Sequence, residues 1–246
     1  RGHHTRARRP ERLVDADPID RETSRPGYPS YAMAPAVLAL GERAFLIRLA
    51  DRASLETAGR AAALAGALRT EHIPAVLDIV AASASVAVHV DPFAPEAAKV
   101  EQRLRIVAAH LNEVPALSDA RRHEIPVRYD GPDLDEVAQR CGLTRDEVIA
   151  RHAGQEYHVL SLGFAPGFAY LGELDPALQL PRRDAPRVRV PAGAVAIAGN
   201  ATAVYPLSTP GGWHLIGSTT LRLFDPTREP AALLRNGDRV RFVPEA

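Results

Sequence analysis

The stretch Leu162-Gly163-Phe164-Ala165-Pro166-Gly167-Phe168-Ala169-Tyr170-Leu171-Gly172 decides how the chain reads. Its glycines and proline bend the backbone sharply, while Phe164, Phe168 and Tyr170 stand close together. From Gly154 onward the same texture persists. The short apolar runs Tyr157–Leu162, Val195–Ala198, Ala203–Tyr205, Trp213–Ile216 and Leu221–Phe224 sit between turn signals, with no sustained helical period. Asn236-Gly237 separates Leu233-Leu234-Arg235 from Val240–Val243, as a two-residue hairpin would. Many short strands with Gly and Pro turns predict a barrel or sandwich.

Upstream the period changes. A strand over Glu124–Tyr129 and the turn Asp130-Gly131-Pro132 lead into two short helices. The first covers Pro132–Cys141 and stops at Gly142; the second starts at Thr144 and stops at Gly154. Thr144 with Glu147 three residues on reads as a capping box. Further back, Val37–Leu40 and Ala44–Leu49 predict a hairpin around Gly41-Glu42-Arg43. Ser54–Arg69 predicts a helix with Leu55, Ala58, Ala62, Ala65 and Leu68 on one face. Strands over Ala75–Val80 and Ser85–Val90 and a helix over Pro95–Asn112 complete a small α/β sandwich. Glu113–Arg122 is the expected linker. The class is therefore α+β, with a small domain over 33–117 and a strand-rich domain over 118–246.

Residues 1–32 carry mixed charge and almost no large apolar side chains, too little burial to offset their ordering entropy. A disordered or non-native extension is expected there, with Met33, the single Met, as the native start.

The composition excludes several classes. Among 246 residues, 30 basic and 30 acidic side chains balance, which gives no electrostatic case for nucleic acid or an anionic membrane. Cys141 stands alone, so no disulfide framework or Cys-based zinc site is expected. No apolar run reaches membrane-spanning length, and a cytoplasmic location is expected. Phosphate-loop, dinucleotide, nucleophile-elbow and His-Glu-x-x-His signatures are missing, and Lys99 is the lone lysine. His3-His4 and the scattered histidines lack ligand spacing, so no metal site is expected.

Three stretches could carry chemistry. Phe164, Phe168 and Tyr170 form either a pocket wall or a barrel corner. Arg182, Arg183, Arg187 and Arg189, on a Pro-stiffened segment, suit either bidentate anion recognition or protection of an edge strand. Gly211-Gly212 before Trp213 either admits a ligand close to the backbone or turns the chain beside a core indole. His152 ends the second short helix, where the carbonyl end favours the charged ring, and is the candidate for proton transfer.

Together the words EVIARH (147–152), GFAPGFAYLGELDP (163–176), PRRDAPRVRVPAGAVAIAGN (181–200), YPLSTPGGWHLIGSTTLRLFDP (205–226) and LLRNGDRVRF (233–242) resemble one family. It is known as the 5-oxoprolinase B subunit, Kip-type sporulation-kinase inhibitor, or allophanate hydrolase subunit 1. LGERAFLIRL (40–49) and VHVDP (88–92) match more loosely, so the resemblance covers about 35–246. It implies a cyclophilin-like β-barrel for the second domain. It also implies a hetero-oligomer with a paralogous C subunit, plus a LamB/YcsF-type A subunit. That complex opens 5-oxo-L-proline to L-glutamate with ATP, and which of its members binds the nucleotide is open. In that frame Arg182 and Arg187 hold the carboxylate of a small acid or amide. Tyr170, Tyr205 and Trp213 contact it, with Phe164, Phe168, Gly211 and Gly212 shaping the pocket. The alternatives are inhibition of a sensor histidine kinase and carboxyl transfer onto urea or a similar amide. The chain departs from the family text at Ala201 and Ala203 (usually Gln and Gly), Ala194 and Ala196 (usually Ser and Gly), Glu173, and Ser218-Thr219-Thr220.

Overall fold

The computed structural model describes residues 35–110 and 120–245. The extension over 1–32, the start at Met33 and most of the linker expected at 113–122 lie outside the described residues. The described residues fall within one compact unit that holds separate hydrophobic cores.

The first core forms under a four-stranded antiparallel sheet of β1 (Ala36–Ala39), β2 (Ala44–Arg48), β4 (Ser85–Val90) and β3 (Val76–Ala81), in that spatial order. Strand alternation turns Val37, Ile47, Ile79, Val86 and Val88 to one face. Helices α1 (Leu55–Thr70) and α2 (Ala97–Ala109) contribute Leu64, Leu68, Val100 and Leu104 to the same core. Ser54 caps α1: its hydroxyl accepts from Thr57 N at 3.1 Å, and its own N–H donates to Thr57 Oγ1 at 2.8 Å. Leu55, expected on the buried face of α1, stays exposed.

The second core fills a seven-stranded sheet. Its order is β12 (His214–Ser218), β9 (Ala194–Ala198), β10 (Ala201–Val204), β7 (Ala169–Gly172), β6 (Glu156–Leu162), β13 (Arg239–Pro244) and β5 (Arg122–Val127). Only the β13–β5 pair is parallel. The two edges meet: just past β5, Arg128 N donates to Ser218 O at 2.9 Å, and Ser218 N returns a bond at 2.8 Å. The sheet is thereby closed into a barrel. Close backbone approach at this seam requires glycine. A Cβ on Gly217 would stand 2.6 Å from Arg128 O, and one on Gly131 2.3 Å from Leu215 O. Helices α3 (Leu134–Cys141) and α4 (Arg145–Ala153) pack over this core, and Thr144 and Glu147 form the expected capping box on α4. No helix among the described residues is long and apolar enough to cross a membrane.

Residues 163–168 connect β6 to β7 through two successive turns. Ala165 N donates to Gly163 O at 2.8 Å around Phe164, whose φ is +67°, a strained γ-turn. Phe168 N then donates to Ala165 O at 3.0 Å around Pro166 and Gly167, with φ of +77° at the glycine, as a type II turn demands.

Asn236-Gly237 does not make the expected hairpin. Residues 233–235 are not a strand, and β13 pairs instead with β5 and β6. The cause is Asp238, whose buried carboxylate accepts from Arg235 N (2.9 Å) and Arg121 N (3.1 Å) and meets His123 Nε2 (3.0 Å). These contacts bind the turn to the start of β5. Leu221–Phe224 forms a single bridge, Phe224 to Ala232, rather than a strand.

Inside the barrel lies a chain of neutral hydrogen bonds. Thr202 Oγ1 donates to Ala196 O at 3.1 Å, so it accepts from His152 Nε2 at 2.8 Å. His152 Nδ1 is then the unprotonated nitrogen and accepts from Tyr129 OH at 2.7 Å. The ring stacks on Phe242 at 4.5 Å and is fully buried. The expectation of a charged His152 at the helix end is thus overturned. Burial pushes its pKa from 6.5 down to about 3, outweighing the carbonyl end of α4.

The packing sets opposite outcomes for two glycines. Gly66, in the interior of α1, has nothing within 4 Å of the position a Cβ would take, so Gly66→Ala should stabilise by about 1 kcal/mol through helix propensity. Gly217→Ala should instead cost about 1–3 kcal/mol by forcing the seam apart. Urea denaturation measures both. His152 is neutral when folded but protonates below pH 6.5 when unfolded. Its stabilisation is therefore complete above about pH 6.5 and drains toward pH 3, by about 1.4 kcal/mol per pH unit. Denaturation at pH 7, 6 and 5 should show a shallower slope for His152→Gln than for the wild type; equal slopes would contradict the assignment.

Candidate functional site

Strands β9 and β10 divide the second lobe by their alternation. Val195, Ile197 and Val204 face the barrel core with Thr202. Ala194, Ala196, Ala198 and Ala203 face the other way, under a third cluster made of Phe168, Tyr205, Trp213 and Leu215. The four departures at 194, 196, 201 and 203 all fall on this second face. They give it a floor of methyl groups on which large rings pack. His152 lies on the opposite side of β10, so the structure does not bring it together with the other candidates.

The rings meet edge to face. Phe168 lies 5.3 Å from Tyr205, 5.0 Å from Tyr170 and 5.8 Å from Trp213. Phe168, Tyr205 and Trp213 are buried and Tyr170 is half-buried. Phe164, raised on its γ-turn, remains 62% exposed while its ring sits 5.3 Å from Phe168 and 6.4 Å from Tyr205. Phe164 is therefore not the core residue that a barrel corner would make it. The Gly211-Gly212 pair divides: a Cβ at Gly211 would strike Tyr205 Oη at 2.3 Å, whereas one at Gly212 would make ordinary contacts at 3.7 Å. Gly211 is fixed by the ring beneath it rather than by a ligand above it.

The arginines diverge. Arg187 opens β8 (Arg187–Val190), which pairs only with β11 (Thr209–Gly211) in a two-stranded ribbon. Arg182 is exposed and lies near the phenols of Tyr170 and Tyr205. Burial pushes both phenol pKa values up, and Arg182 partly opposes this. Both hydroxyls stay protonated and able to donate. Arg187 is bonded to Asp133, its Nη2 2.6 Å from Oδ1, and its charge also acts on the Tyr205 phenol. Arg183 Nη1 bridges Asp133 Oδ1 (3.2 Å) and Glu136 Oε2 (2.8 Å), which holds the Glu136 carboxyl below the usual range. Arg189 bonds Ser208 Oγ at 3.0 Å. Of the two arginines expected to hold a carboxylate, Arg182 has no hydrogen bond or ion pair among the described residues, and Arg187 has one nitrogen bonded and one without a partner.

Asp133 and Glu136 carry no signal in the sequence. Asp after Gly131-Pro132 looks like a routine helix start, and nothing in spacing ties it to arginines some fifty residues on. A cavity of about 530 Å³ lies elsewhere, between α1 (Ala62, Gly66, Arg69) and Leu162 with residues 235–238. None of the candidate residues lines it. Among the described residues no group of three or more His, Cys, Asp and Glu could hold a metal ion.

The chain has relatives among known proteins. The carboxyltransferase domain, subdomain C and D, matches residues 35–234. The chain is 56% identical over 130 residues to the 5-oxoprolinase B subunit of Escherichia coli O157:H7, covering 52% of this chain and 60% of that one. It is 41% identical over 221 residues to the 5-oxoprolinase B subunit of Bacillus subtilis strain 168, covering 83% and 90%. The crystal structure of TTHA0988 superposes with a TM-score of 0.73 at 46% identity, over 83% of this chain and 40% of that one. The match thus spans less than two thirds of the E. coli and TTHA0988 chains. A barrel closed at Arg128–Ser218, its rings and its arginine segment accordingly sit in a chain that belongs to the family of the carboxyltransferase domain, subdomain C and D.

Proposed function

We propose that the chain is the B subunit of an ATP-dependent 5-oxoprolinase, working with partner subunits to hydrolyse 5-oxo-L-proline to L-glutamate. Two relatives matched over 52% and 83% of the chain carry that name. The observation that carries the reading at the site is Arg182. It is exposed, has no hydrogen bond or ion pair among the described residues, and stands beside two protonated phenols. A small acid with a flat ring suits this face: its carboxylate meets Arg182 with Arg187 beside it, and the half-buried Tyr170 lies beside its carbonyl. The exposed side of Phe164 covers the ring.

The exposed Arg182 and Phe164 leave this face uncovered in the single chain, which agrees with a site completed by another subunit. The proposed partners are a paralogous C subunit, plus a LamB/YcsF-type A subunit. In the overall reaction the lactam C–N bond breaks as water oxygen bonds to the carbonyl carbon, and the freed nitrogen becomes the ammonium of glutamate. ATP, which drives the opening of a stable lactam, belongs to the complex as a whole and is assigned to no residue of this chain. His152 receives no proton-transfer step, because its ring is closed within the barrel behind β10.

The reconstituted complex should release glutamate from 5-oxo-L-proline only when ATP is present. Arg182→Ala should raise KM about 10-fold, the lower end for a charged hydrogen bond at an exposed position, with a smaller change in kcat. Glutamate release without ATP, or carboxyl transfer onto urea in its place, would overturn the proposal.

A further inference from the structure

Asp133 breaks a local rule. It is the N-cap of α3, where an Asp side chain ordinarily accepts from the first-turn backbone, yet it makes no cap hydrogen bond. Its side chain is 4% exposed, and both oxygens are engaged elsewhere. Oδ1 takes Arg187 Nη2 and Arg183 Nη1, while Oδ2 takes Leu215 N at 2.7 Å in the seam strand β12. The Asp133 backbone N–H also donates to Leu215 O at 3.0 Å. One carboxylate therefore holds Arg187 of the ribbon, Arg183 just ahead of it, and the closure of the barrel.

The arginines it holds are left incomplete. Arg187 Nη1 and Arg183 Nε are buried with no hydrogen-bond partner, although the two side chains remain 26% and 28% exposed. Such donors sit just beneath the surface and lack an acceptor, a costly state that an oxyanion relieves. The guanidiniums of Arg140, Arg182, Arg183 and Arg187 outnumber the carboxylates of Asp133 and Glu136, an excess of positive charge that suits an anion.

We infer that Asp133 is the positioning residue of the carboxylate subsite. It occupies one nitrogen of Arg187 so that the other is presented to the ligand, and it references that direction to the barrel seam through Leu215. The inference rests on the arginine segment being the anion site, and adds which residue aims it.

The test is a double-mutant cycle on the full chain with its partner subunits, using Asp133→Asn, Arg187→Gln and the double variant. The readouts are KM for 5-oxo-L-proline and direct titration with 5-oxo-L-proline, its carboxamide and propionate. Asp133→Asn and Arg187→Gln should each weaken 5-oxo-L-proline binding about 10-fold with kcat within 2-fold. The double variant should bind no worse than Arg187→Gln alone, and carboxamide binding should be unmoved. Asp133→Glu, which keeps the charge should Asp133→Asn fail to fold, should recover to within about 3-fold of wild type. Effects that multiply in the double variant, or an unchanged Asp133→Asn, would reduce Asp133 to a fold residue and overturn the inference. Should propionate show this pattern while 5-oxo-L-proline does not bind, the positioning role stands and the oxoprolinase reading fails. If no carboxylate binds the wild type, the two donors are satisfied by buried water and the inference is wrong.

Discussion

A seven-stranded sheet that curls must bring its two edges within backbone hydrogen-bonding distance, and here that is achieved by one reciprocal pair between Arg128 and Ser218. Everything in the second lobe depends on this closure. Without it β5 and β12 are open edges, whose unpaired N–H and C=O groups recruit other chains. Gly131 and Gly217 permit the approach because neither side of the seam has room for a Cβ. Asp133, two residues beyond Gly131, then bonds β12 on one side and the arginine ribbon on the other. Closure of the barrel and the placing of Arg183 and Arg187 are built from the same few residues, which is why α3 has given up its own cap.

The alternation of β9 and β10 explains how one lobe holds two unlike interiors. Inward positions carry Val, Ile and Thr around His152; outward ones carry alanine under aromatic rings. The polar chain Tyr129–His152–Thr202–Ala196 is satisfied at every link and stays neutral, so it lends a unique arrangement to an otherwise apolar core without burying a charge. The aromatic side is assembled on a flat methyl floor and finished by side chains from three separate turns.

Local signals are legible in the amino-acid sequence. Thr144 with Glu147, Ser54 ahead of an alanine-rich run and the Gly41 turn each fix their element through neighbours a few residues away, and each is found in place. The aromatic cluster is also legible, because its rings fall in recognisable words. Features decided at long range are not. Asn236-Gly237 has the composition of a hairpin, but Asp238 draws it to residues 121–123, more than a hundred positions earlier. The four arginines look equivalent on paper and differ because Asp133 and Glu136 lie under two of them and Ser208 beside a third. Local pattern reveals what a residue is able to form; which partner it takes is settled by closure of the barrel.

Phe164 holds one more implication. Its backbone sits at a positive φ that a phenylalanine adopts only at some cost, about 1–3 kcal/mol, and packing on Phe168 and Tyr205 keeps it there. More than half of its surface is still free. Whatever covers that surface adds to the same restraint, so occupancy of the face and rigidity of the β6–β7 turn are thermodynamically linked. Linkage is reciprocal: a bound molecule that stiffens the turn is, by the same free energy, bound more tightly by a turn already stiff. Any partner of that surface would therefore have its affinity tuned by the order of the turn as well as by contact.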